Sequence, residues 1–144
     1  LGTHRGLAFY TLGQREGLHI GGRSGRLEEP WYVARKDSAR NALIVVQGHD
    51  HASLSSSTLT TSRVHWLTEM PASAFRCQAK VRYRQADQRV LAEPRADGSV
   101  LLRFDSPQRA VTPGQFAVLY DGDRCLGGGV IASVGASENA RVAA

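Results

Sequence analysis

The chain has few of the residues that build disulfide frameworks, metal centres or membrane spans. Its only two cysteines, Cys77 and Cys125, match neither a CxxC motif nor the spacing of a zinc site. Two buried free thiols in a reducing, cytosolic setting are therefore expected. No apolar run approaches the roughly 18 residues that a bilayer crossing requires, and no secretory signal opens the chain. We expect neither a disulfide-stabilised scaffold nor a membrane protein.

Motifs for catalysis and metal binding are also missing. His49 and His51 flank Asp50, but sequence position suggests no third ligand, so a solvated turn is expected instead of a metal site. No Walker A loop occurs, and Gly127–Gly129 leads into a strand, not a helix. No strand–turn–helix surrounds a serine. These absences favour a binding protein, with a small enzyme that uses Cys125 or His49 as an alternative.

Lysine is scarce in a chain that is otherwise basic. Lys36 and Lys80 are the only lysines, so arginine supplies the other 16 of 18 basic residues, and the net charge is +5. The planar guanidinium of arginine pairs with phosphate through two hydrogen bonds and stacks on bases. A basic, arginine-rich domain is typical of RNA and DNA binders, although a solvated basic surface would have the same composition.

Residues 75–84 carry this charge in strict alternation. One parity consists of Phe75, Cys77, Ala79, Val81 and Tyr83, and the other of Arg76, Gln78, Lys80, Arg82 and Arg84. Because side chains alternate faces along a strand, the pattern predicts a strand with an apolar face and a basic face. Tyr83 falls on the apolar parity. Either the strand ends or bulges there, or the tyrosine reaches a ligand only with its hydroxyl or ring edge.

The first 56 residues are expected to form a small α+β module. A short helix would be capped by Thr3 and stopped by Gly13, and a loop rich in glycine and arginine would lead to a β-hairpin. These elements are assigned to residues 3–12, 13–26, 31–37 and 42–48.

The remainder, residues 57–144, predicts a small antiparallel barrel with a frayed tail from about residue 135. Six short strands are expected at 58–66, 75–84, 88–93, 99–104, 115–120 and 124–133. No connection is long enough for the crossover helix of a parallel sheet. Gly127–Gly129 interrupts the last strand, which requires a bulge, a barrel bend or a close backbone approach.

Five separated sequence motifs match those of a known protein family. They are THRGLAFYTLGQREGLHIGG, PWYVARKD with NALIVVQG, AKVRYRQAD, AVTPGQFAVLYDGD and CLGGGVI, in that order. With them the chain resembles, from residue 2 to about 132, the C-terminal part of bacterial tRNA-uridine 2-sulfurtransferases. These enzymes are also called tRNA-specific 2-thiouridylases, and were formerly named tRNA (5-methylaminomethyl-2-thiouridylate)-methyltransferases.

The resemblance implies an enzyme with three parts. These are an N-terminal ATP-pyrophosphatase domain, a small central domain and a C-terminal barrel similar to those of translation factors. The family replaces the 2-oxygen of the tRNA wobble uridine with sulfur. ATP with magnesium activates the base, and sulfur-carrier proteins deliver a persulfide to a catalytic cysteine.

The family's ATP loop and both segments with catalytic cysteines do not occur in this chain. The resemblance places Cys77 and Cys125 at non-catalytic barrel positions. Because the sequence begins at Leu1 inside a structured-looking segment, we expect a piece of a longer protein. This piece alone would be inactive and would bind neither a cofactor nor a metal.

The resemblance also assigns tRNA contacts to the Arg-Tyr-Arg motif and to the glutamine of Thr-Pro-Gly-Gln. Here these are Arg82, Tyr83 and Gln115, and the basic parity adds Arg84 and Lys80. A phosphate backbone across this face would explain the row of cations, since each neutralised phosphate releases a counterion.

A second group of residues is expected near the active site of the longer protein. Gln14 and Arg15 follow the position at which the family's second catalytic cysteine segment ends. They would shape the active site or pack against the missing domain, and a merely structural loop is the alternative.

The resulting expectation is a cytoplasmic fragment that positions tRNA for chemistry carried out elsewhere. A translation-factor-like barrel that docks on protein or ribosome is the alternative from a different class.

Overall fold

A computed structural model of the chain describes residues 1–20 and 29–135. Within these ranges the regular secondary structure is antiparallel strand, apart from two short 3-10 turns. The strands are β1 Trp31–Asp37, β2 Ala42–Gln47, β3 Ser55–Thr61, β4 His65–Trp66, β5 Phe75–Lys80, β6 Gln88–Pro94, β7 Val100–Arg109, β8 Phe116–Asp121 and β9 Arg124–Gly135. The last part of the predicted glycine-rich loop and the predicted frayed tail lie outside the described residues.

The helix predicted for residues 3–12 is wrong. Only one 3-10 turn forms, Leu7–Phe9, and its N-cap is Gly6, not Thr3. Gly6 has a φ of +120°, which is not helical, so an α-helix cannot start upstream of it. The stretch that remains is too short for a stable isolated helix. A second 3-10 turn, Ala52–Leu54, precedes the barrel.

Strands β1 and β2 form a two-stranded antiparallel hairpin, with a register irregularity between Val33 and Arg35. The N-terminal segment adds to the hairpin through its backbone. Gly13 N donates to Val33 O at 2.7 Å, and Val33 N donates to Gln14 O at 3.0 Å. The segment around Gln14 is therefore held in place by the fully buried Val33.

Strands β3, β7, β6, β5, β8 and β9 follow one another around a closed antiparallel barrel, because β9 also pairs with β3. The predicted mainly-β class and six-stranded antiparallel barrel are confirmed. The long strand predicted at 58–66 is instead two strands, with β4 as a short addition that pairs with the start of β9. The barrel interior is filled by alternate side chains such as Leu59, Leu102, Leu119 and Ile131, each at most 1% exposed.

The triple glycine in β9 allows two backbones to approach it closely. A Cβ on Gly127 would collide with the carbonyl oxygen of His65, and one on Gly128 would lie 2.9 Å from the carbonyl oxygen of Ala117. The register between β8 and β9 also shifts at this point, between Leu119 and Tyr120. The glycines therefore have a structural role, in which a close approach and a bulge are combined.

Because neighbouring strands are antiparallel, each connection lies at one of the two ends of the barrel. The connection after β5 and the connection between β7 and β8 lie at the same end, at which the chain also enters β3. The turn between β6 and β7 lies at the opposite end. No helix in the described ranges has the length and apolarity that a bilayer crossing needs.

The close approach at β9 predicts a large cost for a side chain at Gly127. We expect Gly127→Ala to lower the free energy of unfolding by about 3 kcal/mol, since strained backbone and a backbone collision add. Gly122→Ala is the control, because Gly122 has a φ of +57° but nothing within 4 Å of its added Cβ. It should cost about 1 kcal/mol. Equal losses in urea denaturation of the two variants would contradict the collision.

Candidate nucleic-acid interface

The basic strand predicted at 75–84 is shorter than expected. Strand β5 ends at Lys80, and the chain then turns, with Gln85 N donating to Arg82 O at 3.2 Å. The side chain of Gln85 closes the turn by accepting from Val81 N at 3.3 Å. The prediction of one continuous basic strand face is therefore wrong, because this local hydrogen bonding competes with the strand ladder.

A set of glutamine amides anchors this turn to the barrel. Gln85 Nε2 donates to Gln108 Oε1 at 2.5 Å, and Gln108 Nε2 donates to Gln88 Oε1 at 3.0 Å. Gln108 is 5% exposed, so its polar atoms depend on these partners. These hydrogen bonds therefore hold the turn in one orientation relative to the barrel.

The turn presents the side chains of residues 82–84 outward. Tyr83 is 93% exposed, so of the alternatives left open by its parity the structure shows the first, in which the strand ends before it. Arg82 Nη2 donates to the carbonyl of Ala110 at 3.0 Å, which aims this exposed guanidinium toward the neighbouring connection. Arg84 is exposed beside them.

The Thr-Pro-Gly-Gln turn lies at the same end of the barrel. Gly114, with a φ of +91°, donates its N–H to the carbonyl of Ile131 at 2.8 Å, and Ile131 N donates to the carbonyl of Gln115 at 2.7 Å. The Gln115 backbone is therefore fixed while its side chain stays exposed, without a hydrogen bond to any residue that the structure describes.

Ion pairs divide the predicted basic residues into two groups. Arg76 pairs with Asp105, and Lys80 Nζ lies 3.2 Å from Asp87 Oδ1, so carboxylates compensate both cations. Arg82 and Arg84 pair with no carboxylate among the described residues. Of the basic residues predicted for this strand, those without a carboxylate partner therefore lie in the turn, not along β5.

One open groove of about 1050 Å³ brings most of the predicted residues together. Its lining includes Gln14, Lys80, Arg82, Tyr83 and Gln115. Arg84 and Arg15 do not line it, although both are exposed. The structure thus joins three separate segments of the sequence, from the N-terminal module and from two barrel connections, in a single concave surface.

Gln14 has a local structural task as well as a place in the groove. Its Oε1 accepts from Thr11 N at 2.9 Å and its Nε2 donates to Glu16 O at 2.9 Å. These bonds close the loop that carries it, which agrees with the structural alternative for this position. Arg15 forms no side-chain hydrogen bond with the described residues and does not line this groove.

Sequence reasoning missed several residues of this groove, among them Phe116 and Arg109. Phe116 lines it and is 63% exposed, and the alternation of β8, with Ala117 and Leu119 buried, could have revealed its outward direction. Arg109 also lines it, with its guanidinium carbon 4.9 Å from the ring centroid of Tyr32. That contact joins the barrel to the hairpin, and no local sequence pattern predicts it.

The histidines of the predicted turn form local hydrogen bonds. His49 Nδ1 lies 2.7 Å from Asp50 Oδ1, and His51 Nδ1 accepts from Ser53 N at 3.2 Å, both near the surface. No cluster of three or more histidine, cysteine, aspartate or glutamate side chains suited to a metal occurs in residues 1–20 and 29–135.

The two thiols are free and differ in their surroundings. Cys77 is buried in the barrel, where desolvation, and to a lesser degree the negative charge of Asp121, raises the pKa of its thiol to about 11. Cys125 is only partly buried. Because the thiolate is the nucleophile, Cys77 is chemically inert near neutral pH.

Comparison with known proteins defines the class of both parts of the chain. Residues 1–47 match the family model described as "tRNA methyl transferase PRC-barrel domain", and residues 56–131 match "Aminomethyltransferase beta-barrel domain". Over 132 residues the chain is 55% identical to the tRNA-specific 2-thiouridylase MnmA of Francisella philomiragia and 58% identical to that of Halorhodospira halophila. The chain belongs to the tRNA-specific 2-thiouridylase family.

The match covers most of this chain and a minority of each relative. It includes 91% of the chain but 37% of the Francisella protein and 34% of the Halorhodospira protein. The chain therefore spans little more than a third of the length of the relatives it matches.

The buried thiol predicts selective alkylation. With iodoacetamide near neutral pH, we expect Cys125 to be modified while Cys77 stays unmodified, since its raised pKa keeps it protonated. Labelling of Cys77 should increase only as the pH approaches 11 or when denaturant unfolds the barrel. Peptide mass spectrometry distinguishes the sites. Equal labelling of both cysteines in the native chain would contradict the assigned burial.

Proposed function

We propose that this chain is the tRNA-binding portion of an enzyme that catalyses ATP-dependent 2-thiolation of the wobble uridine in tRNA. One observation carries the proposal. The 82–85 turn presents two arginines without carboxylate partners and a fully exposed tyrosine beside the groove that also contains Gln115. Family membership supplies the substrate class, since the named relatives are tRNA-specific 2-thiouridylases.

The physical role of the groove is positioning. Uncompensated guanidinium groups gain most from phosphates, because no internal ion pair has to be broken first. Phosphate contacts fix the orientation of a nucleic acid without reading its sequence. An anchored tRNA presents its wobble base to a catalytic domain in one orientation, which lowers the entropic cost of the reaction.

The chemistry is assigned to the part of the enzyme outside this chain. There, ATP with magnesium would activate the uridine, and sulfur-carrier proteins would deliver a persulfide to a catalytic cysteine. The protonated, buried Cys77 is unsuited to carrying sulfur. We place the whole enzyme in the cytoplasm, together with its tRNA substrates.

Charge reversal in the turn should weaken tRNA binding. We expect Arg82→Glu and Arg84→Glu each to reduce affinity and to lower the slope of log K against log salt by about one or more. Arg84→Glu is the cleaner test, because Arg82 also bonds to Ala110. Filter binding of tRNA over a salt series measures both quantities.

Arg95→Glu is the matched control, since Arg95 is exposed in the turn at the opposite end of the barrel. It should change the affinity little. Binding without salt dependence, or an equal effect of the control, would refute the proposed interface. Competition with other structured RNAs separates tRNA binding from docking on the ribosome.

The chain alone should form no 2-thiouridine. We expect none when it is incubated with tRNA, ATP, magnesium and a persulfide donor, since the family's ATP loop and its segments with catalytic cysteines do not occur in this sequence. Nucleoside mass spectrometry measures the product. Turnover that survives Cys125→Ser would show unexpected catalytic groups, and turnover abolished by it would instead favour the small-enzyme alternative.

A further inference from the structure

We propose that Arg109 is a positioning residue that fixes the N-terminal module, here residues 1–54 ahead of β3, in one orientation on the barrel. Through this orientation, tRNA held by the barrel is aimed at the catalytic part of the enzyme. The inference rests on the proposed function, because it needs a catalytic part outside this chain. It concerns how the two parts of the chain are joined, not how either part contacts RNA.

Direct bonds between the module and the barrel are concentrated at one place. Apart from the 3-10 turn that leads into β3, two hydrogen bonds connect residues 1–54 with the barrel among the described residues. Arg109 Nε donates to the carbonyl of His49 at 3.4 Å, and Ala110 N donates to the carbonyl of Leu54 at 2.7 Å. Both donors belong to adjacent residues at the end of β7. This pair therefore forms the polar link between the two parts.

The guanidinium of Arg109 is enclosed by aromatic side chains of the module. Its central carbon lies 4.9 Å from the ring centroid of Tyr32, which is 7% exposed. The ring of His49 packs edge-on against Tyr32, with the centroids 5.8 Å apart. A cation over a desolvated ring is held more firmly than one over an exposed ring. The Arg109 side chain is thus anchored on both the hairpin and the segment that follows it.

The same guanidinium is a costly choice for a purely structural contact. Nη2 of Arg109 is buried and donates to no acceptor among the described residues. Burying a polar donor without a partner disfavours the folded state, and an apolar side chain would avoid that loss. The contact therefore fits a role in fixing one orientation better than a role in adding stability.

Ala110 connects this link to the proposed tRNA-binding turn. Its φ of +52° is unusual for a residue other than glycine, and such strain is typical of functional positions. The carbonyl of Ala110 accepts from Arg82 Nη2 at 3.0 Å. Its methyl group faces Gly13, where an added Cβ would lie 2.7 Å away. One short segment thus contacts both the loop that precedes Gln14 and the turn that carries Arg82.

The rest of the junction is open. A cleft of about 750 Å³ lies between the hairpin and the barrel, with Val33 and Ile44 on one side and Ala132 and Val134 on the other. Close packing resists rotation of one part against another, and a cleft of this size does not supply it. The orientation of the module therefore depends strongly on Arg109.

The first test measures orientation in the chain without RNA. Spin labels on Ser38→Cys in the β1–β2 turn and Asp123→Cys in the β8–β9 turn, both exposed, are introduced with Cys125→Ser, and pulsed electron paramagnetic resonance gives their distance distribution. We expect a narrow distribution that Arg109→Met broadens. Arg109→Lys keeps a cation over Tyr32 and should restore most of the narrowness.

Arg103→Met is the matched control. Arg103 is on the same strand, β7, but pairs with Glu93 on the outer surface of the barrel. Its replacement should leave the distance distribution unchanged. Circular dichroism and urea denaturation verify that each variant is folded before its distances are compared.

The second test measures 2-thiolation of tRNA by the full-length enzyme that contains this chain. Misplacement of a bound substrate by about 1 Å can slow a reaction up to about a hundredfold. We expect Arg109→Met to lower kcat about tenfold or more while changing the KM for tRNA less than about twofold, since the 82–85 turn stays anchored in the barrel. Arg103→Met should change neither constant.

Each possible failure has a distinct signature. A narrow distribution in folded Arg109→Met, an equal broadening in Arg103→Met, or broadening without loss of kcat would overturn the inference. A raised KM with unchanged label distances would show that Arg109 contacts RNA directly, which also overturns it. These results leave the proposed function standing. Absence of salt-dependent tRNA binding by the unmodified chain would refute the proposed function, and the role in aiming tRNA with it.

Discussion

Pairing of β3 with β9 is the constraint on which the groove depends. It closes the barrel, and closure together with antiparallel alternation brings the connection after β5, the connection before β8 and the entry from the N-terminal module to one end. Closure thus brings three segments that are far apart in the sequence into one groove. The glycines of β9 serve this geometry, since their missing side chains let β4 and β8 lie directly against that strand.

Much of this architecture could be predicted from alternation alone. The barrel strands were located because buried and exposed side chains follow a period of two, and the turn residues between them are glycine, proline and aspartate. The N-terminal helix was not predictable by the same means. Its sequence has a possible N-cap and a glycine stop. However, the positive φ of Gly6 and the backbone hydrogen bonds to the hairpin outweigh the weak helix propensity of the residues between them.

The candidate site was predictable as a set of residues but not as a surface. Alternation placed Arg82 and Arg84 on a strand face with Arg76 and Lys80, whereas the strand ends before the turn that Gln85 closes. Of these four residues, the two in the turn have no carboxylate partner among the described residues. Family resemblance indicated Gln115 without a geometric reason. Arg109 could not be found, because its contact with Tyr32 joins residues far apart in the chain. The alternation of β8 predicts that Phe116 is exposed, and an exposed phenylalanine could have been taken as a candidate binding residue.

The amide network beneath the turn has a further consequence. Gln85, Gln88 and Gln108 contain no group that gains or loses a proton in the physiological range, so acidification has no direct means of loosening them. Arginine, too, keeps its charge throughout that range. The scaffold and the cations of this turn therefore keep their hydrogen bonds and their charge when the pH changes within that range, whereas a contact surface built on carboxylates or histidines would respond to it.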